Sequence, residues 1–568
     1  MEVLVMARRT AWLLFLSLLG ALGLAGCGGS NEEAGPDGAA APDPARTVRL
    51  LFTYGSEKEE WIKEVTARFN EAGQTTASGK AILVEAVPQG SGEAIDDILA
   101  GVRQAHLTSP ASAAFIKLGN AASRAKTGND LVGPTRNLVL SPVVIAMWRP
   151  MAEAIGWGKK PIGWGEILEL ARDSRGWAAH GHPEWGAFKL GHTHPDYSNS
   201  GLISLLAEVY AASGKMAALT LDDVRDPKTA AYVAGIESSI VHYGSSTGFF
   251  GKRLFTDGPG YLSAAVLYEN MVIESYGPQY RLPFPVVAVY PREGTFWSDH
   301  PVGIVEREWV TPEHREAAEA YISYLLARPQ QEAALRFGFR PSDVAIALVS
   351  PFDAAHGVDP REPQTTLEVP PVEVIEAVRT LWRAHKKRSD ITLVLDISGS
   401  MREDDKMENA KAGAEQLLQL LDPQDTFSFL PFNAEPAWAG QDLRLADARD
   451  ATVEKVRGLF ADGGTALYDA IAMAHTWAAP RSGKGRISAI VVLSDGKDTD
   501  STSIQLPELL QRLRGSGEAQ GVRVFTIAYG EGAETDVLEQ LAEATRGRSY
   551  VGTPENIRTV FREISTFF

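Results

Sequence analysis

The chain has 568 residues, room for roughly two to four domains, and its 44 % apolar and 22 % charged content is that of a soluble globular protein. With 55 basic and 72 acidic residues the net charge is −17, which argues against a nucleic-acid partner because no broad basic surface is implied. The single cysteine, Cys27, excludes an intramolecular disulfide and a thiolate metal cluster.

At the amino terminus, Arg8 and Arg9 precede an apolar run from Ala11 to Ala25 that ends in Leu24-Ala25-Gly26-Cys27. A charged start, a short apolar core and small residues describe a secretory signal. The core is shorter than the ~20 residues a membrane span needs. Leu-Ala-Gly-Cys resembles the lipobox of bacterial lipoproteins. That resemblance implies cleavage before Cys27, lipidation of its thiol, and a place on the outer face of a cell membrane. Residues 1–26 then read as signal peptide and 27–45 as a flexible tether, rich in Gly, Ala, Pro and acid.

From Val48 the pattern is strand, helix, strand, Gly-Ser loop, helix. Val48–Phe52 reads as a strand, Glu57–Phe69 as a helix through Trp61, Ile62, Val65 and Phe69, and Ala81–Val87 as a second strand. Pro88-Gln89-Gly90-Ser91-Gly92 leads into another helix. This is the order of a parallel sheet. Leu138–Met147 is an apolar run able to cross between lobes. His192–Gly201 is a polar loop before the apolar helix Leu202–Tyr210, Pro285–Tyr290 is a strand, and Pro312–Leu335 reads as one long amphipathic helix. The order resembles that of bacterial extracellular solute-binding proteins, with their two-lobed periplasmic-binding fold, over residues 46–348. The resemblance implies a cleft between the lobes open to a small solute, with Ser91, Ser198 and Ser200 at helix N-termini facing it, where free N–H groups bind anions. Plain N-capping accounts for the same serines. His192-Thr193-His194 has no Cys or third His at ligand spacing nearby and reads as a polar loop at the cleft. Gly244-Ser245-Ser246-Thr247-Gly248 fits the pattern of a nucleophile elbow but lacks the strand that motif requires.

Residues 349–385 read as a linker: a proline-rich stretch without period, then a helix over Val372–His385. Beyond it, the apolar strand Ile391–Leu395 runs into Asp396-Ile397-Ser398-Gly399-Ser400. One carboxylate and two hydroxyls on a tight turn offer oxygen to a hard cation. Gly463-Gly464-Thr465 adds a hydroxyl, and Leu493-Ser494-Asp495-Gly496 adds a carboxylate after another apolar strand. Loops at the carboxyl ends of parallel strands converge on one crevice. Asp396, Ser398, Ser400, Thr465 and Asp495 are similar to the metal-ion-dependent adhesion site (MIDAS) of von Willebrand factor A (VWA) domains, over residues 386–568. The resemblance implies a doubly wound, Rossmann-like α/β fold binding Mg²⁺ or Mn²⁺, with Thr465 reaching the ion in the liganded state and a partner's Asp or Glu filling an open position. Asp404-Asp405, beside the loop, reads as a solvated acidic turn.

The expectation is an α/β chain made of a two-lobed solute-binding-like domain followed by a VWA domain. The resemblances imply a surface lipoprotein that docks a protein partner through the metal. The alternative is the receptor of an ABC-type transporter whose VWA domain docks a partner. No nucleophile–base–orienter set stands out, so no enzyme is expected.

Overall fold

The computed structural model describes residues 46–483, 485–515, 521–530 and 532–568. The signal segment, Cys27 and the tether lie outside the described residues. Among the described residues no helix is long and apolar enough to cross a membrane.

In the strand Thr47–Gly55, Val48, Leu50, Phe52 and Tyr54 alternate and are all buried, so one face of the strand meets a core. Helix Glu59–Glu71 buries Trp61, Ile62, Val65 and Phe69 on it. The first sheet runs in the order Ala81–Gln89, Thr47–Gly55, Leu107–Ser109, Pro301–Val305, Val132–Asn137. Its first three strands are parallel, and Pro301–Val305 returns antiparallel to both neighbours. The chain crosses to the second lobe at Leu138, between Val132–Asn137 and Val139–Trp148. Val139–Trp148 is the spine of the second sheet and pairs antiparallel with Arg340–Pro341, Ala264–Tyr268, Val286–Val289 and Trp297–Ser298.

The segment expected as one helix over Pro312–Leu335 is two helices, Pro312–Leu325 and Arg328–Arg336. Pro329 has no N–H to bond the Leu325 carbonyl and its ring would clash with that carbonyl in a continuous helix, so the chain turns extended at Ala327 (ψ 146°) and a second helix begins with the proline in its first turn. The proline-rich stretch that follows is a strap on the second lobe. Its Phe352, Val358 and Leu367 are buried, and Leu367 N–H donates to Thr295 O at 2.8 Å.

The last domain is a six-stranded sheet in the order Gly440–Arg444, Thr426–Phe432, Arg388–Asp396, Arg486–Ser494, Val522–Tyr529, Arg548–Gly552. All pairs are parallel except the edge strand Gly440–Arg444. Alternation splits its side chains between two cores. Val394, Ile490, Val492 and Val524 pack with Leu467, Ile471, Leu509 and Leu538 on one face. Ile391, Leu393, Leu395, Val491 and Phe525 face the other way, into a core continuous with that of the two lobes. The joint is sealed by Trp382 of helix Val372–His385, edge-on to His194 and Tyr243 with ring centres 4.9 and 5.3 Å away.

Candidate metal centre

Strands Arg388–Asp396 and Arg486–Ser494 are parallel and in register to Leu395 and Leu493, so Asp396 and Asp495 leave neighbouring strands one residue out of step, with Asp396 opposite Ser494. Both are buried, at 0 % and 1 % exposure. Asp396 accepts the Ser398 N–H on Oδ1 at 2.8 Å and the Ser494 hydroxyl on Oδ2 at 2.6 Å. The Ser398 and Ser400 hydroxyls are 3.1 Å apart, and Ser400 donates to Asp495 Oδ1 at 2.7 Å. The other oxygen of Asp495 accepts Lys406 Nζ at 2.8 Å.

The Thr465 loop is clamped from the Asp495 side. A Cβ on Gly464 would meet Asp500 Oδ2 at 1.8 Å, and only glycine lets that carboxylate in to accept the Thr465 N–H at 2.8 Å. The N–H groups of Thr499 and Asp500 donate to the Thr465 carbonyl at 2.9 and 3.1 Å. A Cβ built on Gly496 would stand 3.7 Å from Ser400 Oγ and 3.8 Å from Thr465 Oγ1. The hydroxyls of two different loops thus flank one glycine, and a side chain there would fill the space between them.

Asp404 and Asp405 are exposed, with φ of 51° and 54°. Aspartate tolerates this left-handed geometry. The two residues turn the chain into helix Lys406–Leu420, whose first residue is the lysine on Asp495.

Burial pushes the Asp396 carboxyl up to about 6, and the Asp495 charge adds to it, against the hydrogen bonds from Ser398 and Ser494. Those donors are neutral, so a cation would relieve the desolvated carboxylate. Two carboxylates and three hydroxyls form an all-oxygen set, which fits Mg²⁺ or Mn²⁺. Sequence reading missed Lys406, Ser494 and Asp500, whose partners lie 89, 98 and 35 residues away. Only Ser494, beside Asp495, carried a local signal.

The three serines expected at the cleft lie in a closed seam between the lobes. Ser91 Oγ accepts the Ala111 N–H at 2.9 Å. Ser198 Oγ is 3.1 Å from Thr247 Oγ1, and Ser200 Oγ lies 2.9 Å from Thr193 Oγ1 and 3.0 Å from Thr247 Oγ1. Across the seam Ser56 donates to Ser246 at 2.8 Å and Ser112 to Asn199 at 2.6 Å. Beside it Lys58 Nζ is 2.7 Å from Glu57 Oε1 and 3.1 Å from His300 Nδ1, all three buried. A cavity of about 660 Å³ remains at one end of the seam, lined by Glu59, Glu60, Lys252, Glu274, Tyr280 and Arg336.

Residues 50–340 match the family described as bacterial extracellular solute-binding protein, just over half of the chain. The chain belongs to this family. Residues 390–563 match the von Willebrand factor type A domain, so this member carries a VWA domain behind its solute-binding domain. Two uncharacterized proteins from strains of Mycobacterium tuberculosis are each 22 % identical over 464 residues, covering 74 % of this chain and 62 % of theirs. The chain thus spans about three fifths of the length of these curated relatives. Among solved structures, a von Willebrand factor type A protein from Catenulispora acidiphila is 26 % identical over 32 % of this chain and 42 % of its own, with a TM-score of 0.29. A periplasmic thiamin binding protein is 14 % identical over 62 % of this chain and 100 % of its own, with a TM-score of 0.44.

Proposed function

We propose that this protein is a lipid-anchored surface binding protein that docks a protein partner through a divalent cation on its VWA domain. One observation carries the reading: Asp396, Ser398, Ser400, Thr465 and Asp495, from three loops spread over 100 residues, converge on a single oxygen-lined crevice. Bound there, Mg²⁺ or Mn²⁺ supplies a hard Lewis-acid position that prefers an anionic oxygen, such as a partner's Asp or Glu. The chain's own residues do the rest. Ser494 and the Ser398 N–H orient Asp396, Ser400 orients Asp495, and Asp500 fixes the Thr465 backbone. The groups are therefore held in place before any partner arrives.

The closed seam favours docking over solute capture, because the serines at its helix N-termini are bonded to other side chains and backbone of this chain. Should the protein serve a transporter, the solute belongs in the cavity lined by Glu59, Glu60, Glu274, Lys252 and Arg336, whose mixed charges, with Lys252 paired to Glu59 and Glu60, suit a polar solute. Anchoring rests on Cys27, and a Cys27→Ser variant that still fractionates with membranes contradicts it.

Calorimetric titration with Mg²⁺ tests the metal. Wild type is expected to bind one equivalent and Asp396→Ala none, with an unchanged circular dichroism spectrum because the site lies on loops above a packed sheet. Thr465→Ala is expected to weaken partner binding more than Mg²⁺ binding. Equal Mg²⁺ affinity in wild type and Asp396→Ala overturns the reading.

A further inference from the structure

Three buried side chains of the second lobe belong to neither the loop site nor the lobe seam. His192 follows the short strand Leu190–Gly191, Glu208 sits inside helix Asn199–Ser213, and Glu237 ends helix Pro227–Glu237. All three are fully buried. One ligand atom from each, a ring nitrogen and two carboxylate oxygens, lies within 4.8 Å of the other two. The fold assembles this set from positions 16 and 29 residues apart, which is why the His192-Thr193-His194 motif looked incomplete on its own. His194 takes no part and packs against Trp382.

The hydrogen bonds define what the cluster lacks. His192 Nδ1 is 2.8 Å from the Thr193 carbonyl oxygen, which only accepts, so Nδ1 carries the proton. Nε2 is then a lone-pair donor, and it faces Glu237 Oε1 at 2.9 Å. Two acceptors at that distance repel each other unless a cation or a proton lies between them. Tyr243 donates to Glu237 Oε2 at 2.7 Å, and Ser204 donates to Glu208 Oε1 at 3.0 Å. Glu208 Oε2 has no hydrogen-bond partner. Burial, reinforced by the Glu237 charge, pushes the Glu208 carboxyl well above the usual carboxylate range. Lys387 Nζ donates to the Ile240 carbonyl oxygen rather than to either carboxylate.

A proton between Nε2 and Glu237 relieves one contact and leaves Glu208 Oε2 unsatisfied in a dry core, which is costly. A dication relieves all of it. It takes the Nε2 lone pair and one oxygen from each glutamate, and it neutralises both carboxylates. We propose that His192, Glu208 and Glu237 form a buried site for one first-row transition-metal dication, with Zn²⁺ as the test ion. One imidazole with carboxylates is a Zn²⁺-type ligand set, and the Nδ1–H bond to a carbonyl is how ligating imidazoles are oriented. The ion ties a strand end to two helices, next to the joint made by Tyr243 and Trp382. It is chemically distinct from the all-oxygen loop site, which has no imidazole.

Full-length protein made in zinc-supplemented medium and dialysed against zinc-free buffer containing Mg²⁺ is analysed for metal by plasma mass spectrometry. Wild type and Asp396→Ala are expected to retain about one equivalent of zinc, and Glu208→Gln at least about tenfold less. X-ray absorption at the zinc edge of the Asp396→Ala protein is expected to show a nitrogen–oxygen shell with imidazole scattering. This measurement decides the matter even if Glu208→Gln does not fold. Zinc below about a tenth of an equivalent in Asp396→Ala, equal zinc in Glu208→Gln, or a spectrum without imidazole scattering overturns the proposal. Because the loop site is disabled in Asp396→Ala, either result is independent of the docking function.

Discussion

Asp495 accepts the Ser400 hydroxyl on one oxygen and the Lys406 ammonium on the other, so one carboxylate is shared between the metal loop and a buried lysine. A fixed positive charge beside a dication opposes its binding, more strongly in a partly desolvated site than in water. Lys406 also supports the fold, since its carbonyl oxygen accepts the Tyr529 hydroxyl at 3.0 Å. Lys406→Met keeps the stem and this backbone contact while removing the charge. It is expected to tighten Mg²⁺ by about tenfold in a calorimetric titration. An affinity equal to or weaker than wild type contradicts a charge-tuning role. The five candidate ligands were legible in the sequence because each loop is marked locally, by an apolar strand before it or by paired glycines. Lys406 and Asp500 were not, since a lysine opening a helix and an aspartate in a polar loop look like surface residues until the sheet brings distant loops together.

Helix Val372–His385 links the two halves through charge as well as through Trp382. Its Arg379 and Arg383 donate to Asp196 of the second lobe at 2.6 and 2.9 Å. Burial opposes ionisation of Asp196, but the attraction of His194, Arg379 and Arg383 outweighs it and holds the carboxyl down at about 2. His194 is itself held down at about 3 by burial, so near neutral pH the two arginines carry the effect. A carboxyl depressed from an unfolded value near ~3.9 contributes stability that is complete above that value and is lost as pH falls towards 2. Asp196→Asn is expected to cost roughly 2 kcal/mol at pH 7 and to flatten the fall in melting temperature between pH ~4 and ~2. A variant as steep as wild type in that window contradicts the assignment. The elements with strong periodicity were readable, as with Trp61, Ile62, Val65 and Phe69 on one helix face, whereas helices such as Ala113–Thr127 and Pro227–Glu237 and the strand Ala264–Tyr268 were not singled out. At Pro329 the expected single helix is two, because apolar spacing carries on across a proline that the backbone cannot follow.

At the scale of the whole molecule, the two lobes and the VWA domain are joined by the last helix. From Ile557–Ser565, Arg562 donates to Asp97 at 2.6 Å and Glu93 at 3.1 Å in the first lobe, and the following Phe567 carbonyl accepts the Tyr243 N–H at 3.3 Å in the second. The VWA domain therefore touches both lobes, and opening the seam by hinge motion would break these contacts along with those of Ser56 and Ser112. Such joints depend on contacts up to 469 residues apart, which no local pattern announces, and the sequence alone suggested only two modules in series. The same helix packs by Phe561 against Gly413 on the helix that begins at Lys406, so the candidate metal loop rests on a rigid base. The central claim is that a cation on this base bridges to a partner. The direct measurement is recovery of partner proteins from solubilised membranes on immobilised full-length protein, in Mg²⁺, in EDTA, and after Mg²⁺ is restored, with Asp396→Ala alongside. The account predicts a partner that binds wild type in Mg²⁺, leaves in EDTA, returns with Mg²⁺ and never binds Asp396→Ala. A partner that stays through EDTA and binds Asp396→Ala equally well contradicts it.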